Sequence, residues 1–370
     1  MKVILFYDFL SEYGGVERVM ANHTKWLIEA GHEVTLLFSH VDQKTAEYFH
    51  KGCKAEEIST LKIGETGKLF SSLLGFNNLK SHSADLVISY SFPSLYLARK
   101  MKCKQAFYYL PMEFIYFPLK KRWLWANDMK RKVAFFLSLF VGPVLKYLDK
   151  RWIKNKLVIA NSEYTQREIT ERYGVDSIIS YPPLSEIFKP VVSSQPTKPF
   201  ILTAGRIIPD KKTDWLIEAF AKLEDKKLQF LIAGKVEDKH KVELMALAQR
   251  LGVESRIKFL GLVDHKKLAK LYSTCKCFVF ASPEEAFGLG PVEAAACGSP
   301  IVAWNDNAGP NEYVIPALNG YLAKPYDLDD FAKKIKDAME LRDKNKIISS
   351  VNKFREKKQS SLLLNHLQTH

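Results

Sequence analysis

Disulfide frameworks, zinc-ligand clusters and membrane-spanning runs are all missing from this sequence. Only five of its 370 residues are cysteine (Cys53, Cys103, Cys275, Cys277, Cys297). That is too few to staple a chain of this length. They form no Cys-x-x-Cys and lack histidines at zinc spacing, which fits a reducing compartment. The longest apolar run, residues 133–145, is thirteen residues long and contains Gly142-Pro143. A spanning helix needs about 20, so a simple transmembrane protein is excluded. The opening Met1-Lys2-Val3-Ile4-Leu5-Phe6-Tyr7-Asp8 turns acidic too soon for a signal peptide. Low-complexity tracts are absent as well. Apolar residues make up 47% and charged residues 26%, a globular composition long enough for two domains.

Charge of one sign dominates: 55 Lys+Arg against 41 Asp+Glu, a net +14. Residues 119–156 hold eleven Lys/Arg and two Asp, and residues 342–370 hold seven Lys/Arg and two acids. The remainder is close to neutral, so the basicity is local and points to an anionic contact. The first basic segment also carries Trp123, Trp125, Phe135, Phe136, Phe140, Tyr147 and Trp152. Lys/Arg beside large aromatics suits a membrane interface, where headgroups meet cations and aromatics reach the acyl boundary. A buried helix pair with solvated ends and a nucleic-acid contact are the competing readings.

Short apolar runs alternate with amphipathic stretches. Residues 2–7, 33–38, 85–90, 106–110 and 157–161 read as strands, with a helix after Gly14-Gly15 that Gly31 ends. Residues 186–199, with three prolines and a Ser pair, read as a linker. Strands are predicted again at 200–205, 229–234, 257–262, 277–281 and 300–304, and helices at 213–223 and 242–251. Such βαβ alternation predicts two parallel sheets with helices on both faces, binding ligand at the carboxyl ends of the strands.

Three stretches carry candidate chemistry. Gly14-Gly15 opens a helix directly after the first strand, where backbone amides can approach an anion. Gly205-Arg206 and Lys211 follow the first strand of the second half, and an Arg and a Lys five apart can converge on one anionic group. Glu285 and Glu293 are eight apart, separated by Gly288 and Gly290, and two carboxylates so placed can accept hydrogen bonds from sugar hydroxyls. Each has a plainer explanation in isolation: a common turn, a solvated loop, an acidic helix start.

Together the three resemble the fingerprint of retaining nucleotide-sugar glycosyltransferases of the GT-B fold, family 4 (group 1). Glu285 and Glu293 match its Glu-x7-Glu element, and Arg206 and Lys211 its Gly-Arg-xxxx-Lys element. Asn161-Ser162-Glu163, Tyr181-Pro182-Pro183, Ile232-Ala233-Gly234, Gly309-Pro310-Asn311-Glu312 and Asn319-Gly320 extend the match, which runs from residue 1 to about 340. The resemblance implies an α/β, GT-B architecture: two Rossmann-like doubly wound domains facing a central cleft. Residues 1–188 would form an acceptor-binding domain, 189–199 a linker and 200–344 a donor-binding domain. A helix at about 345–370 would pack back onto the first.

By the same resemblance, Arg206 and Lys211 hold the donor diphosphate and the Gly14-Gly15 turn approaches it. Glu285 and the backbone of Phe287, Gly288 and Leu289 hold the transferred sugar. Glu293 takes the ribose, and Val263 lies near the base. Arg206, Lys211 and Glu285 are the expected catalytic set. No aspartate pair is singled out as a metal site, since Asp329-Asp330 read as a solvated helix start, so transfer is expected to need no metal or other cofactor. Lys212 departs from the family's usual glycine. Tyr108-Tyr109-Leu110-Pro111-Met112-Glu113 stands where mannosyltransferases of lipid-linked acceptors carry a His-Thr-Pro-like stretch; the histidine is missing, and Tyr109 and Glu113 are expected to face the acceptor. The nine histidines form no metal or triad pattern and read as structural. The expectation is a cytoplasmic enzyme, peripheral on the inner face of an anionic membrane. It would move mannose from GDP-mannose to a polyprenyl-linked or glycolipid acceptor and bind no nucleic acid. A UDP-sugar donor or a soluble acceptor is the alternative.

Overall fold

The computed structural model describes residues 1–10, 14–41, 53–58, 83–90, 92–99, 101–108, 129–192 and 198–369. They form two compact units. One comprises the described residues up to Pro183 together with Lys357 onward, and the other is Leu184–Glu356.

The first unit runs β1 (Lys2–Leu10), α1 (Gly15–Glu29), β2 (Glu33–Val41), β3 (Lys54–Glu57), β4 (Leu86–Ser89), α2 (Phe92–Ala98), β5 (Lys104–Tyr108), α3 (Met129–Ile153), β6 (Leu157–Ala160), α4 (Glu163–Tyr173) and β7 (Ile178–Ile179). Its sheet has the order β3-β2-β1-β4-β5-β6-β7, with every pairing parallel. β4 is buried at all four positions because both faces are covered, which is why it reads as a continuous apolar run. On one face Met20, Trp26 and Leu27 of α1 pack against Leu5, Leu36, Phe38 and Ile88. The opposite face carries Ile4, Phe6, Leu37 and Val87 against Leu97 and Ala98 of α2. α4 begins where the Ser162 hydroxyl accepts the Thr165 N–H at 3.0 Å and ends at Gly174, in the left-handed region at φ +64°.

α3 is 25 residues long and contains Pro143. Met129, Val133, Phe136, Phe140, Val144 and Tyr147 recur at three- and four-residue spacing, so they share one face. All six are exposed, Phe140 by 68%. Gly142, Asp149 and Ile153 are the buried side of the same helix.

The second unit runs β8 (Phe200–Ala204), α5 (Thr213–Ala221), β9 (Gln229–Ala233), α6 (Asp238–Arg250), β10 (Ile257–Gly261), α7 (His265–Thr274), β11 (Phe278–Val279), α8 (Leu289–Ala296), β12 (Ile301–Trp304), β13 (Gly320–Ala323), α9 (Leu328–Met339) and α10 (Lys344–Ser350). Its sheet is parallel too, in the order β10-β9-β8-β11-β12-β13. The order reverses between β8 and β11. In open α/β sheets that is the switch point beside which ligands bind. Three glycines cap neighbouring strands there. A Cβ on Gly234 (φ +140°) would overlap the Gly205 carbonyl oxygen, so the turns after β8 and β9 approach closely only because Gly234 lacks a side chain.

The chain ends in α11 (Glu356–Thr369), whose Leu363 and Leu367 enter the core of the first unit beside Val3 and Met20. The Gln359 side chain accepts the Tyr181 N–H at 3.2 Å, fixing the helix to the strand-end segment of that unit. Among the described residues no helix is long and apolar enough to cross a membrane.

Candidate functional site

The switch point of the second sheet gathers most of the residues singled out from the sequence. After β8 the chain passes Gly205 (φ +144°) and exposed Arg206, then makes a 3₁₀ turn, Pro209–Lys211. This turn brings Lys211 over the segment that follows β11. Its Nζ donates to Glu285 Oε2 at 2.5 Å and reaches Ser282 Oγ at 3.4 Å. The Ser282 hydroxyl donates to the same Glu285 oxygen at 2.9 Å. Ser282 was not legible as a site residue, since a lone serine three before a glutamate carries no signal.

Burial alone would raise the Glu285 carboxyl above the usual range. The Lys211 ammonium, its hydrogen bond, the Ser282 hydroxyl and the Arg206 guanidinium outweigh burial and hold it below. Glu285 is therefore ionised at neutral pH. It can accept hydrogen bonds from hydroxyls and has no proton to give.

Lys212 occupies the left-handed region at φ +50°, where glycine is the unstrained choice. Its ammonium lies 5.1 Å from the Trp215 ring, a cation–π distance. This gives the departure from the family's glycine a partner on its own helix.

The Glu285 loop is held from below. Glu284, also left-handed at φ +49°, donates its N–H to Asp306 at 2.8 Å. Gly309 donates its N–H to the Glu285 carbonyl at 2.8 Å, and a Cβ there would lie 2.5 Å from the Ala286 oxygen and from the Phe287 Cα. The buried Tyr313 hydroxyl donates to the carbonyls of Phe287 and Gly288, at 2.8 and 3.1 Å. Those two carbonyls are thus occupied. What Gly288 and Leu289 offer a ligand is amide N–H, at the start of α8, where a helix has no acceptors of its own. Asn319 steadies the same region by donating to the Tyr313 carbonyl and to Ser350 Oγ, both at 2.7 Å.

Glu293 lies one turn into α8, 4% exposed, and accepts from the Tyr272 hydroxyl at 3.4 Å. Val263 is half-buried just after β10, beside Leu262, which is 84% exposed. In the first unit Gly14 caps α1, but its N–H is taken by Glu17 Oε2 at 3.0 Å. Gly15 is exposed and meets nothing within 4 Å of its Cβ direction. Tyr109 and Glu113 lie outside the described residues.

The sequence contains one further aspartate pattern, the Asp-x-Asp of Asp327-Leu328-Asp329. Its side chains serve the fold. Asp327 caps α9 by accepting from the N–H groups of Asp329 and Asp330, and Asp329 pairs with Lys222 at 2.7 Å. Among the described residues no group of three or more His, Cys, Asp or Glu could hold a metal ion. The cysteines are free, and burial pushes the Cys275 and Cys297 thiols up to about 12, which makes them poor nucleophiles.

Two Rossmann-type parallel sheets in one chain, of seven and six strands, define the class of GT-B-type folds. The comparisons agree with it. Anabaena HepE in complex with UDP and glucose superposes with a TM-score of 0.75 over the whole of both chains, at 19% identity. Residues 13–181 match the family model for Glycosyltransferase Family 4, and residues 185–360 that for glycosyl transferases group 1. The chain therefore consists of a family 4 glycosyltransferase domain followed by a group 1 glycosyltransferase domain. Among curated proteins it is 31% identical over 147 residues to the Escherichia coli serotype-specific mannosyltransferase WbdA, covering 38% of this chain and 17% of WbdA. It is also 31% identical over 170 residues to the D-inositol 3-phosphate glycosyltransferase of Mycolicibacterium smegmatis, covering 45% and 38%. The matched segments span less than half of each relative.

Proposed function

We propose that the protein is a retaining, metal-independent glycosyltransferase that moves mannose from GDP-mannose to a lipid-linked acceptor at a membrane surface. The observation that carries the transferase reading is the Lys211–Glu285 pair beside Arg206 at the switch point of the second sheet. Breaking an anomeric C–O bond leaves negative charge on the departing diphosphate and positive charge on the sugar ring. Lys211, held by Glu285 and Ser282, and the exposed Arg206 close to it supply positive charge for the first, and charge already in place lowers such barriers most. Glu285 is an ionised acceptor for sugar hydroxyls, and the Glu293 carboxyl is placed to accept from the ribose hydroxyls. With Glu285 ionised, the acceptor's proton goes to a donor phosphate oxygen during front-side attack, which retains configuration.

The mannose assignment draws support from the WbdA similarity and from the Pro111-Met112 stretch. A lipid-linked acceptor is supported by the exposed apolar face of α3 and by Lys132, Lys146, Lys150 and Arg151 on the same helix. The second reading, a UDP-sugar donor with a soluble acceptor, is favoured by the likeness to HepE and to an inositol phosphate glycosyltransferase.

A thermal-shift titration with GDP, UDP and ADP in EDTA, with Glu293→Ala as control, separates these. A nucleotide at 100 times its Kd stabilises by about 2.7 kcal/mol. A GDP response lost in the variant supports the first reading, and a UDP response replaces it with the second. No response to any nucleotide would remove the donor site.

A further inference from the structure

Strained backbone gathers around the Lys211–Glu285 pair. Among the described residues the non-glycine positions in the left-handed region are Asn155, Lys212, Glu284, Asn307, Ala317 and Tyr326. Asparagine tolerates that region. Lysine, glutamate and tyrosine are strained in it and persist there only where their surroundings hold them. Lys212, Glu284 and Tyr326 are far apart in sequence, yet the fold brings them to one place. Lys212 directly follows Lys211, and Glu284 directly precedes Glu285. The ion pair is thus flanked by a strained residue on each side.

The place where they meet is aromatic. Ring centroids are 5.6 Å apart for Trp215 and Tyr326, 5.8 Å for Trp304 and Tyr326, and 6.0 Å for Trp215 and Trp304. Lys212 Nζ lies 5.1 Å from the Trp215 ring. Glu284 and Asp306 act on the same cluster: burial and the Asp306 and Glu284 carboxylates raise the Tyr326 phenol. The Trp304 indole donates to the Ala281 carbonyl at 2.9 Å, which ties the cluster to the segment carrying Ser282 and Glu285.

Lys212 and Glu284 are each only 7% exposed, and a lysine is seldom so buried unless something holds its charge. An enclosed side chain turned to Trp215 is no ligand for a donor. It can, however, hold its neighbour. The N–H groups of Lys211 and Lys212 close the 3₁₀ turn on the carbonyls of Ile208 and Pro209, at 2.9 and 3.2 Å. The left-handed step at Lys212 then parts two consecutive ammonium groups, one going to Glu285 and the other to the aromatic cluster. Glycine, the family's usual residue here, permits such a turn without strain but anchors nothing.

We propose that Lys212 is a positioning residue for the transfer reaction: its side chain, anchored over Trp215, fixes the turn that sets Lys211 on Glu285. The cation–π contact offsets the backbone strain, and the result is a turn with its charge in place before the reaction starts. The catalytic consequence rests on the transferase reading; the geometry does not.

The test uses the full chain and reads the pair itself. The coupling between Lys211→Met and Glu285→Gln is taken from double-mutant cycles in urea melts, in the native background, in Lys212→Gly and in Lys212→Met. Lys212→Gly suits the backbone, so folding is preserved. In it the coupling should fall roughly threefold or more, as a ratio of folding constants. A merely structural role would shift the stability of every variant alike, and a coupling unchanged in Lys212→Gly overturns the proposal. A fall in Lys212→Met as well assigns the anchor to the ammonium. Coupling kept in Lys212→Met but lost in Lys212→Gly supports the anchor and overturns the share of the cation. Lys222→Met breaks the exposed pair with Asp329 just past the end of the same helix and should leave the coupling at its native value. An equal fall there overturns the assignment to Lys212. In steady-state kinetics Lys212→Gly should lower kcat roughly tenfold or more with the donor KM within about twofold, the mark of misplaced rather than missing contacts. An unchanged kcat overturns the catalytic consequence. A wild-type chain that neither binds a nucleotide nor transfers sugar overturns the transferase reading instead, and the coupling still decides the anchor.

Discussion

At Glu285 two opposing influences meet, and the cations win. Removing either partner of the Lys211–Glu285 pair leaves the other without its counter-charge. Lys211→Met should lower kcat by roughly 10²–10³-fold, the usual loss when one preorganised charge-stabilising donor is removed. Glu285→Gln should keep nucleotide affinity and lose turnover, because it alters the sugar contact and leaves the proposed diphosphate contacts in place. Steady-state kinetics with a nucleotide thermal shift check both; loss of nucleotide binding in Glu285→Gln would reassign the residue. A second residue-scale prediction concerns His23. It is fully buried, its Nδ1 is 2.7 Å from the Tyr90 hydroxyl, and burial lowers it from 6.5 to about 3. The unfolded chain takes up this proton near 6.5 and the folded chain only near 3. Stability from this group is therefore intact above 6.5 and falls by about 1.4 kcal/mol per pH unit as pH drops through that window. In denaturant melts the stability gap between wild type and His23→Gln should narrow steadily from pH 6.5 to 4. A gap independent of pH would mean that His23 does not titrate this way. The sequence reading of the histidines as structural suits this position, yet nothing in the pattern around His23 marked its burial against Tyr90 and Tyr108, which are 67 and 85 residues away.

Elements were legible where their pattern was local. The strands at β1, β2, β4, β8, β9 and β12 were read to within a few residues, because each is an apolar run bounded by turn residues. β3, β7 and β13 were not read: β3 is a mostly exposed edge with one apolar residue, Lys54-Ala55-Glu56-Glu57, β7 is two residues long, and β13 is four residues opening on Gly320. α6 begins at Asp238, four residues ahead of the expected start: Glu237 and Asp238 at its start suit the helix dipole, but the first turn, Asp238-Lys239-His240-Lys241, carries no apolar residue to signal it. The support beneath Glu285 was illegible for a different reason. Gly309, Tyr313 and Asn319 act on the 284–288 loop from later in the chain, and only the fold brings them there. Their importance is testable at Gly309, whose Cβ would collide with backbone that cannot move without moving Glu285. Gly309→Ala should cost about 1–3 kcal/mol as an overpacked site, and lower donor affinity with it. A melt and titration indistinguishable from wild type would show that the loop yields freely.

On the scale of the whole molecule, the chain order is not the order of the units, since α11 joins the core of the first unit after the second is complete. The balance of charge is likewise a property of the whole. The net +14 was legible at once, and so was its concentration near α3. Which side of α3 faces outward was not legible, since an apolar run with residues at nearly every position has no periodicity to read. The fold resolves it: the face carrying Phe136, Phe140 and Val144 is the exposed one, which is the reverse of what water favours. An apolar stripe flanked by lysines binds an interface by burying area and by attracting anionic headgroups, so the two contributions separate experimentally. Phe136→Asp with Phe140→Asp should abolish flotation on anionic vesicles at any salt. Lys146→Glu with Lys150→Glu should weaken it most at low salt, where screening is least. Both pairs lie on α3 of the first unit, whereas the proposed nucleotide contacts are residues of the second, so nucleotide binding should be unchanged. If the aspartate pair floats as wild type does, α3 is not the contact. If that pair loses flotation and also becomes monomeric where wild type is dimeric, the stripe instead covers a second copy of the chain.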